Sequence, residues 1–148
     1  MYQTIKTKLM TVKESTSIAI SIPEAIKDAC QDIAELAQES FQILTLNARN
    51  LLIERHMITL GIADACLVHP REVFRAACQD SACAIILIHN HPSGDVTPSS
   101  EDMRITKQLI EAGKIMDIKI LDHVIIGKQK GDIRILSFRE EGIYNFSS

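Results

Sequence analysis

The residues best placed to do chemistry are His89, His91 and Asp102. The two histidines stand two positions apart, and the aspartate follows a stretch of turn formers, PSGDVTPSSE. Residues i and i+2 of an extended chain project to the same side, so both imidazoles can reach one ion. A loop of that length can fold back and present the carboxylate to the same point. Zinc is tetrahedral, and three protein ligands leave one position for water, the mark of a catalytic site rather than a structural one. Zinc in such a site brings the pKa of water to about 7 and polarises a carbonyl. The pattern is therefore one that could hold one zinc per chain. The water also needs a base, and Glu35, Glu39, Glu54, Glu72 and Glu101 are the candidates. Spacing does not choose among them, although Glu39 stands at the start of a predicted strand. The same residue types would also make a polar turn with surface histidines, so spacing alone leaves the metal site open.

The elements that must position these residues are legible from periodicity. An apolar run, CAIILI over residues 83–88, reads as a strand covered on both faces that ends at His89. After the loop, Ser99 or Ser100 can cap a helix whose first turn holds Glu101 and Asp102. Ile105, Leu109, Ala112 and Ile115 mark its apolar side. Upstream, residues 3–22 read as two short extended stretches. Pro23 opens a helix with Ile26, Ala29, Cys30, Ile33 and Ala37 on one face. Residues 39–46 and 51–60 form a predicted hairpin around the turn at 47–50. Pro70 opens a second helix. Residues 118–126 and 133–136 pair across a turn at 127–132. The expectation is an α/β fold, a mixed and mainly antiparallel sheet flanked by helices.

Bulk composition narrows the class. The 148 residues are 46% hydrophobic and 24% charged, which suits one globular domain spanning 1–148. No apolar run approaches the roughly 20 residues that span a bilayer, and the N-terminus lacks a secretory signal. The expected location is cytoplasmic. Cys30, Cys66, Cys78 and Cys83 form no CxxC pair and read as buried free thiols. The net charge of −3 argues against strong non-specific DNA binding. No nucleotide-binding glycine motif is present. His69 reads as a helix cap or a group behind the site, His123 as a structural hydrogen-bonded histidine, His56 as surface, and Asp95 as a turn residue. Gly94 reads as support for a tight loop.

At this point the residues resemble a known family. H-x-H-P, six residues, then S-x-x-D is the core of the JAMM (MPN+) metalloprotease motif, met here by His89, His91, Pro92, Ser99 and Asp102. The match is closest to the RadC branch. VHPREVFRAA from Val68, HNHPSGDVTPSSED from His89, LDHVIIG from Leu121 and SFREEGI from Ser137 resemble RadC segments in the same order. The resemblance covers residues 23–143. It implies a JAMM/MPN fold, similar to cytidine deaminase in layout, with zinc on His89, His91 and Asp102. It further implies that Ser99 stabilises an oxyanion and that Glu39 is the general acid/base. Glu54 and Glu72 remain rivals for that role. Full-length RadC proteins carry a helix-hairpin-helix-like region before this domain. That region is absent from this chain, which reads as a short form or an excised domain.

Three functions compete on this reading. The first is a zinc peptidase or isopeptidase acting on a protein or peptide. The second is a nucleic-acid-associated module in DNA repair or recombination, which would need a basic face. The third is an interaction domain that keeps the fold without turnover. The substrate and the number of subunits are not legible.

Overall fold

A computed structural model describes residues 23–61 and 68–146. The extended stretches expected within 3–22, and Cys66, lie outside the described residues. The elements in chain order are α1 (Pro23–Ala34), β1 (Ser40–Leu46), β2 (Leu52–Leu60), α2 (Pro70–Gln79), β3 (Ala84–Asn90), α3 (Ser100–Met116), β4 (Lys119–Gln129) and β5 (Asp132–Ser137). The strands form one sheet in the order β2-β1-β3-β4-β5. β3 and β4 run parallel, and the other neighbouring pairs are antiparallel. The expected mixed, mainly antiparallel α/β architecture is what forms, and it is consistent with a JAB/MPN fold.

Side-chain alternation divides the sheet into two faces. Phe41, Ile43, Ile85, Leu87 and Ile125 point to one side, where Val73, Phe74 and Ala77 of α2 and Ile105 and Leu109 of α3 cover them. Leu44, Leu46, Ile86, Ile88, Val124 and Ile126 point to the other, against Ile26, Cys30 and Ile33 of α1. β1 and β3 are buried along their whole length because both faces are covered, as continuous apolar runs require. The same parity has a chemical consequence. Glu39, His89 and His123 share the odd-numbered phase of Phe41, Leu87 and Ile125, so all three belong to the face that α3 covers.

Several expectations need correction. β3 does not stop at His89; it continues through Asn90, because the Asn90 side chain is buried and bonded rather than part of a solvated loop. Among the described cysteines only Cys30 is buried. Cys78 and Cys83 are exposed free thiols, Cys78 on the outer face of α2 and Cys83 just before β3. Ala37 lies beyond the end of α1 and is exposed, while Ala29 lies outside the described side chains. Ile115, placed on the apolar side of α3, is 87% exposed. The last turn of α3 borders a shallow groove with Pro70 and Phe74 of α2. No helix among the described residues is long and apolar enough to cross a membrane.

Candidate metal centre

His89 lies one residue before the end of β3, opposite Phe41 of β1 and beside Ile125 of β4. Its ring packs edge-on against Phe41. The chain then turns over the end of β4. The His91 amide donates to the Ile126 carbonyl (2.9 Å), and the Gly94 amide donates back to the His91 carbonyl (2.9 Å). Gly94 adopts φ +87°, and a Cβ there would stand 2.5 Å from the Lys128 carbonyl oxygen. Both conditions require glycine, as its place in the loop predicted. Gly94→Ala is expected to cost at least about 2 kcal/mol of unfolding free energy, from the left-handed backbone and the collision together. Urea denaturation reads this, and an unchanged midpoint would mean the loop does not depend on this close approach.

The loop delivers the chain to α3. Ser99 is the N-cap: its hydroxyl accepts from the Asp102 amide (3.0 Å), and its own amide donates to Asp102 Oδ2 (2.9 Å). This is a capping box with aspartate in the third position. It turns the Asp102 carboxylate back toward the loop, where Oδ2 lies 3.1 Å from His91 Nε2 and Oδ1 lies 3.7 Å from His89 Nδ1. The two imidazole rings stand perpendicular, with centroids 4.9 Å apart. On the other side, Glu39 Oε1 is 2.5 Å from His89 Nε2. Glu39, His89 and His91 each offer one ligand-capable atom, all within 4.8 Å of one another. The structure thus brings together His89, His91, Asp102, Glu39 and Ser99.

The other glutamates sit elsewhere. Glu35 pairs with Lys128 (2.7 Å) and Glu101 with Arg104 (3.2 Å). Glu72 lies in the first turn of α2 and Glu54 on β2. Glu54 groups with His56 and Asp80. His56, expected at the surface, is instead half-buried and bonded through Nε2 to Asp80 Oδ2 (2.5 Å), which also accepts from the Thr45 hydroxyl (2.7 Å). Asp80 closes the C-terminus of α2, so that group is accounted for by its role in joining α2 to the sheet. His69 is the N-cap of α2 by position, with no side-chain capping bond. Asp95 is a turn residue, as expected, its carboxylate accepting from the Thr97 amide (3.0 Å).

Two further contributions escape the pattern of residue types. The Asp95 carbonyl accepts from His91 Nδ1 (2.7 Å), which fixes that ring's tautomer and orientation. Asn90, the middle residue of the HNH string, brackets Glu39. Its Oδ1 accepts from the Ser40 amide (2.7 Å) and hydroxyl (2.6 Å), and its Nδ2 donates to the Gln38 carbonyl (2.9 Å). The Glu39 carbonyl is held in turn by the Gly61 amide (2.8 Å). The signal for Asn90 is its position, since a residue between two same-side histidines must face the opposite side of the strand end.

The electrostatics fit a cation. With Nδ1–H given to Asp95, the Nε2 lone pair of neutral His91 faces a carboxylate oxygen. That conflict is relieved either by a second proton or by a positive ion. In the metal-free protein the Asp102 hydrogen bond raises the His91 pKa above its ordinary value, against the opposing effect of burial. Burial alone would raise the Asp102 carboxyl, but the His91 bond, the His89 charge and the Ser99 amide outweigh it and hold the group below the usual carboxylate range. His89 Nδ1 is buried without a hydrogen-bond partner. Two imidazoles and a carboxylate converging, one imidazole nitrogen unpartnered, form a donor set suited to a borderline-soft divalent ion such as zinc. Behind the cluster, His123 is fully buried and its pKa is pulled down to about 3, by burial first and then by His89.

A mixed α/β domain with this cluster at the junction of strand end and helix start is of the JAB/MPN class. A family model described as a RadC-like JAB domain matches residues 20–143. A UPF0758 protein of Caldanaerobacter subterraneus subsp. tengcongensis is 44% identical over 140 residues, covering 94% of this chain and 58% of that protein. One from Listeria monocytogenes is 46% identical over 138 residues, 93% of this chain and 60% of its own length. A third, from Geobacillus, is 47% identical over 119 residues, 80% of this chain and 51% of its own length. The chain belongs to the RadC family. It spans somewhat over half the length of these relatives.

Proposed function

We propose that this domain is a zinc-dependent hydrolase of amide bonds, a peptidase or isopeptidase acting in the cytoplasm on a protein or peptide. The observation that carries the reading is the convergence of His89, His91 and Asp102 with Glu39 held against His89 at 2.5 Å. His89, His91 and Asp102 are the ligands in this reading, and Glu39 stays outside the ligand set. Zinc supplies Lewis acidity at this point and brings the pKa of water to about 7. Glu39 is half-buried beside two imidazoles, on a backbone that Asn90 and Gly61 immobilise, and so can take a proton from water and return it to a leaving amine. The Ser99 oxygen already accepts from the Asp102 amide, which leaves its O–H to donate to a developing oxyanion.

Zinc-loaded protein should therefore cleave members of a panel of peptides and lysine-isopeptide conjugates. A chelator should abolish the cleavage, and added zinc should restore it. Stoichiometric zinc without cleavage of any amide in the panel would favour a scaffold that keeps the fold and the ion without turnover.

A further inference from the structure

His123 takes no part in the proposed chemistry, yet it is bonded to it. It lies on β4 beside Leu87, fully buried, stacked on Phe138 at a 4.5 Å centroid distance and edge-on to Phe41 at 5.7 Å. Its Nδ1 is 2.5 Å from the Thr106 hydroxyl of α3, and that hydroxyl is 2.6 Å from the Asp102 carbonyl. A hydroxyl has one proton and a carbonyl can only accept. The arrangement that satisfies all three atoms sends the Thr106 proton to Asp102 and the Nδ1 proton of His123 to Thr106. His123 is then a neutral imidazole with a bare Nε2, and that nitrogen is buried with no partner.

A buried unpartnered nitrogen is destabilising, and an apolar side chain at this position would pack between Phe41 and Phe138 without one. What the imidazole adds over an apolar group is the Nδ1–H donor. We infer that His123 is a positioning residue of the metal centre, acting through the Thr106 hydroxyl on the backbone of Asp102. Asp102 is thereby held at both ends. Ser99 and His91 fix its carboxylate, and the His123–Thr106 pair ties its peptide to β4. The first turn of α3 is in this way registered against the strand beside the one that carries His89. Bonds behind the ligands orient them and tune their affinity for the ion. The inference rests on the proposed zinc ligation by Asp102.

The test uses the metal-stripped full chain. Competition with a chromophoric chelator reads the Zn²⁺ dissociation constant, and the visible spectrum of the Co²⁺ form reads ligand geometry. Thr106→Val and His123→Leu should weaken Zn²⁺ binding by about 10- to 100-fold and shift the Co²⁺ bands. Thr106→Ser, which keeps the hydroxyl, and His123→Asn, whose amide nitrogen can stand where Nδ1 stood, should bind close to wild type. His123→Leu should melt no lower than wild type without metal, because it removes the unpartnered nitrogen. Wild-type affinity and Co²⁺ spectra in folded Thr106→Val and His123→Leu would reduce His123 to core packing and overturn the inference. Should those two variants not fold, His123→Asn against His123→Gln decides. The longer side chain puts its amide where Nε2 stood, so equal affinity in the two overturns the inference, and weaker binding by His123→Gln supports it. Failure of the wild type itself to take up Zn²⁺ would overturn the proposed ligation and this inference with it, and that outcome is read without any variant.

Discussion

Glu39→Gln is expected to keep the wild-type metal content and to lower amide hydrolysis by roughly two to four orders of magnitude. The substitution preserves the shape of the side chain and an oxygen that can face His89, but it removes the group able to accept and return a proton. Glu39 is also close enough to His89 and His91 to be a ligand, since all three offer atoms within 4.8 Å. Metal content separates the two roles. A proton carrier outside the ligand set leaves the ion bound when it is neutralised, whereas a ligand takes the ion with it. Elemental analysis beside initial rates would show which holds. Loss of metal in Glu39→Gln would move Glu39 into the ligand set, and full activity would remove it from the chemistry.

The second large effect is expected at Asp102. Its carboxylate is buried, accepts from the Ser99 amide and faces both histidines. Asp102→Ala should weaken metal binding by roughly a thousandfold or more, about 4 kcal/mol. It should also destabilise the metal-free fold by about 2–4 kcal/mol, because the carboxylate's half of the capping box and a buried partner of two imidazoles are lost together, while the Ser99 hydroxyl keeps its bond to the residue-102 amide. The pH dependence follows from the shifts. The folded Asp102 pKa is lowered, so its contribution to stability is present above about pH 4 and is lost as pH falls further. The His91 pKa is raised, so its contribution is complete below about pH 6.5 and is lost as pH rises through the raised value. A metal must displace that proton, and apparent affinity should climb with pH until it levels off above the raised His91 pKa. In Asp102→Ala the principal cause of the shift is gone, and the levelling point should move down. A pH profile of affinity unchanged by the substitution would detach His91 from this carboxylate.

The sheet and the helices were legible because each rests on local signals, whereas spacing alone left the convergence of His89, His91 and Asp102 open and the motif resemblance supplied it. Apolar runs, period-2 and period-3.6 spacing, prolines at helix starts and a serine three positions before an acidic residue all act within a few neighbours. What escaped depends on partners far along the chain. Asn90 read as loop because the stretch that begins at His89 is rich in Pro, Gly, Ser and Asp, yet its bonds to Gln38 and Ser40 extend β3 and bracket Glu39. His56 read as surface because nothing nearby in sequence announces Asp80. Ile115 fits the helical stripe, but periodicity does not say whether anything covers the last turn of a helix. Cys78 and Cys83 have apolar neighbours in sequence and are still exposed, Cys78 because successive residues of a helix point in different directions and Cys83 because it precedes the buried run of β3. His123 read as hydrogen-bonded structure. That it is bonded through Thr106 to Asp102 follows only from packing α3 on β4.

The most direct test of the account is the zinc content of purified wild-type protein, by elemental analysis beside His89→Ala and Asp102→Ala. About one zinc per chain is expected in the wild type and little in either variant. A wild type that contains no zinc, and takes up none when it is supplied, would contradict it.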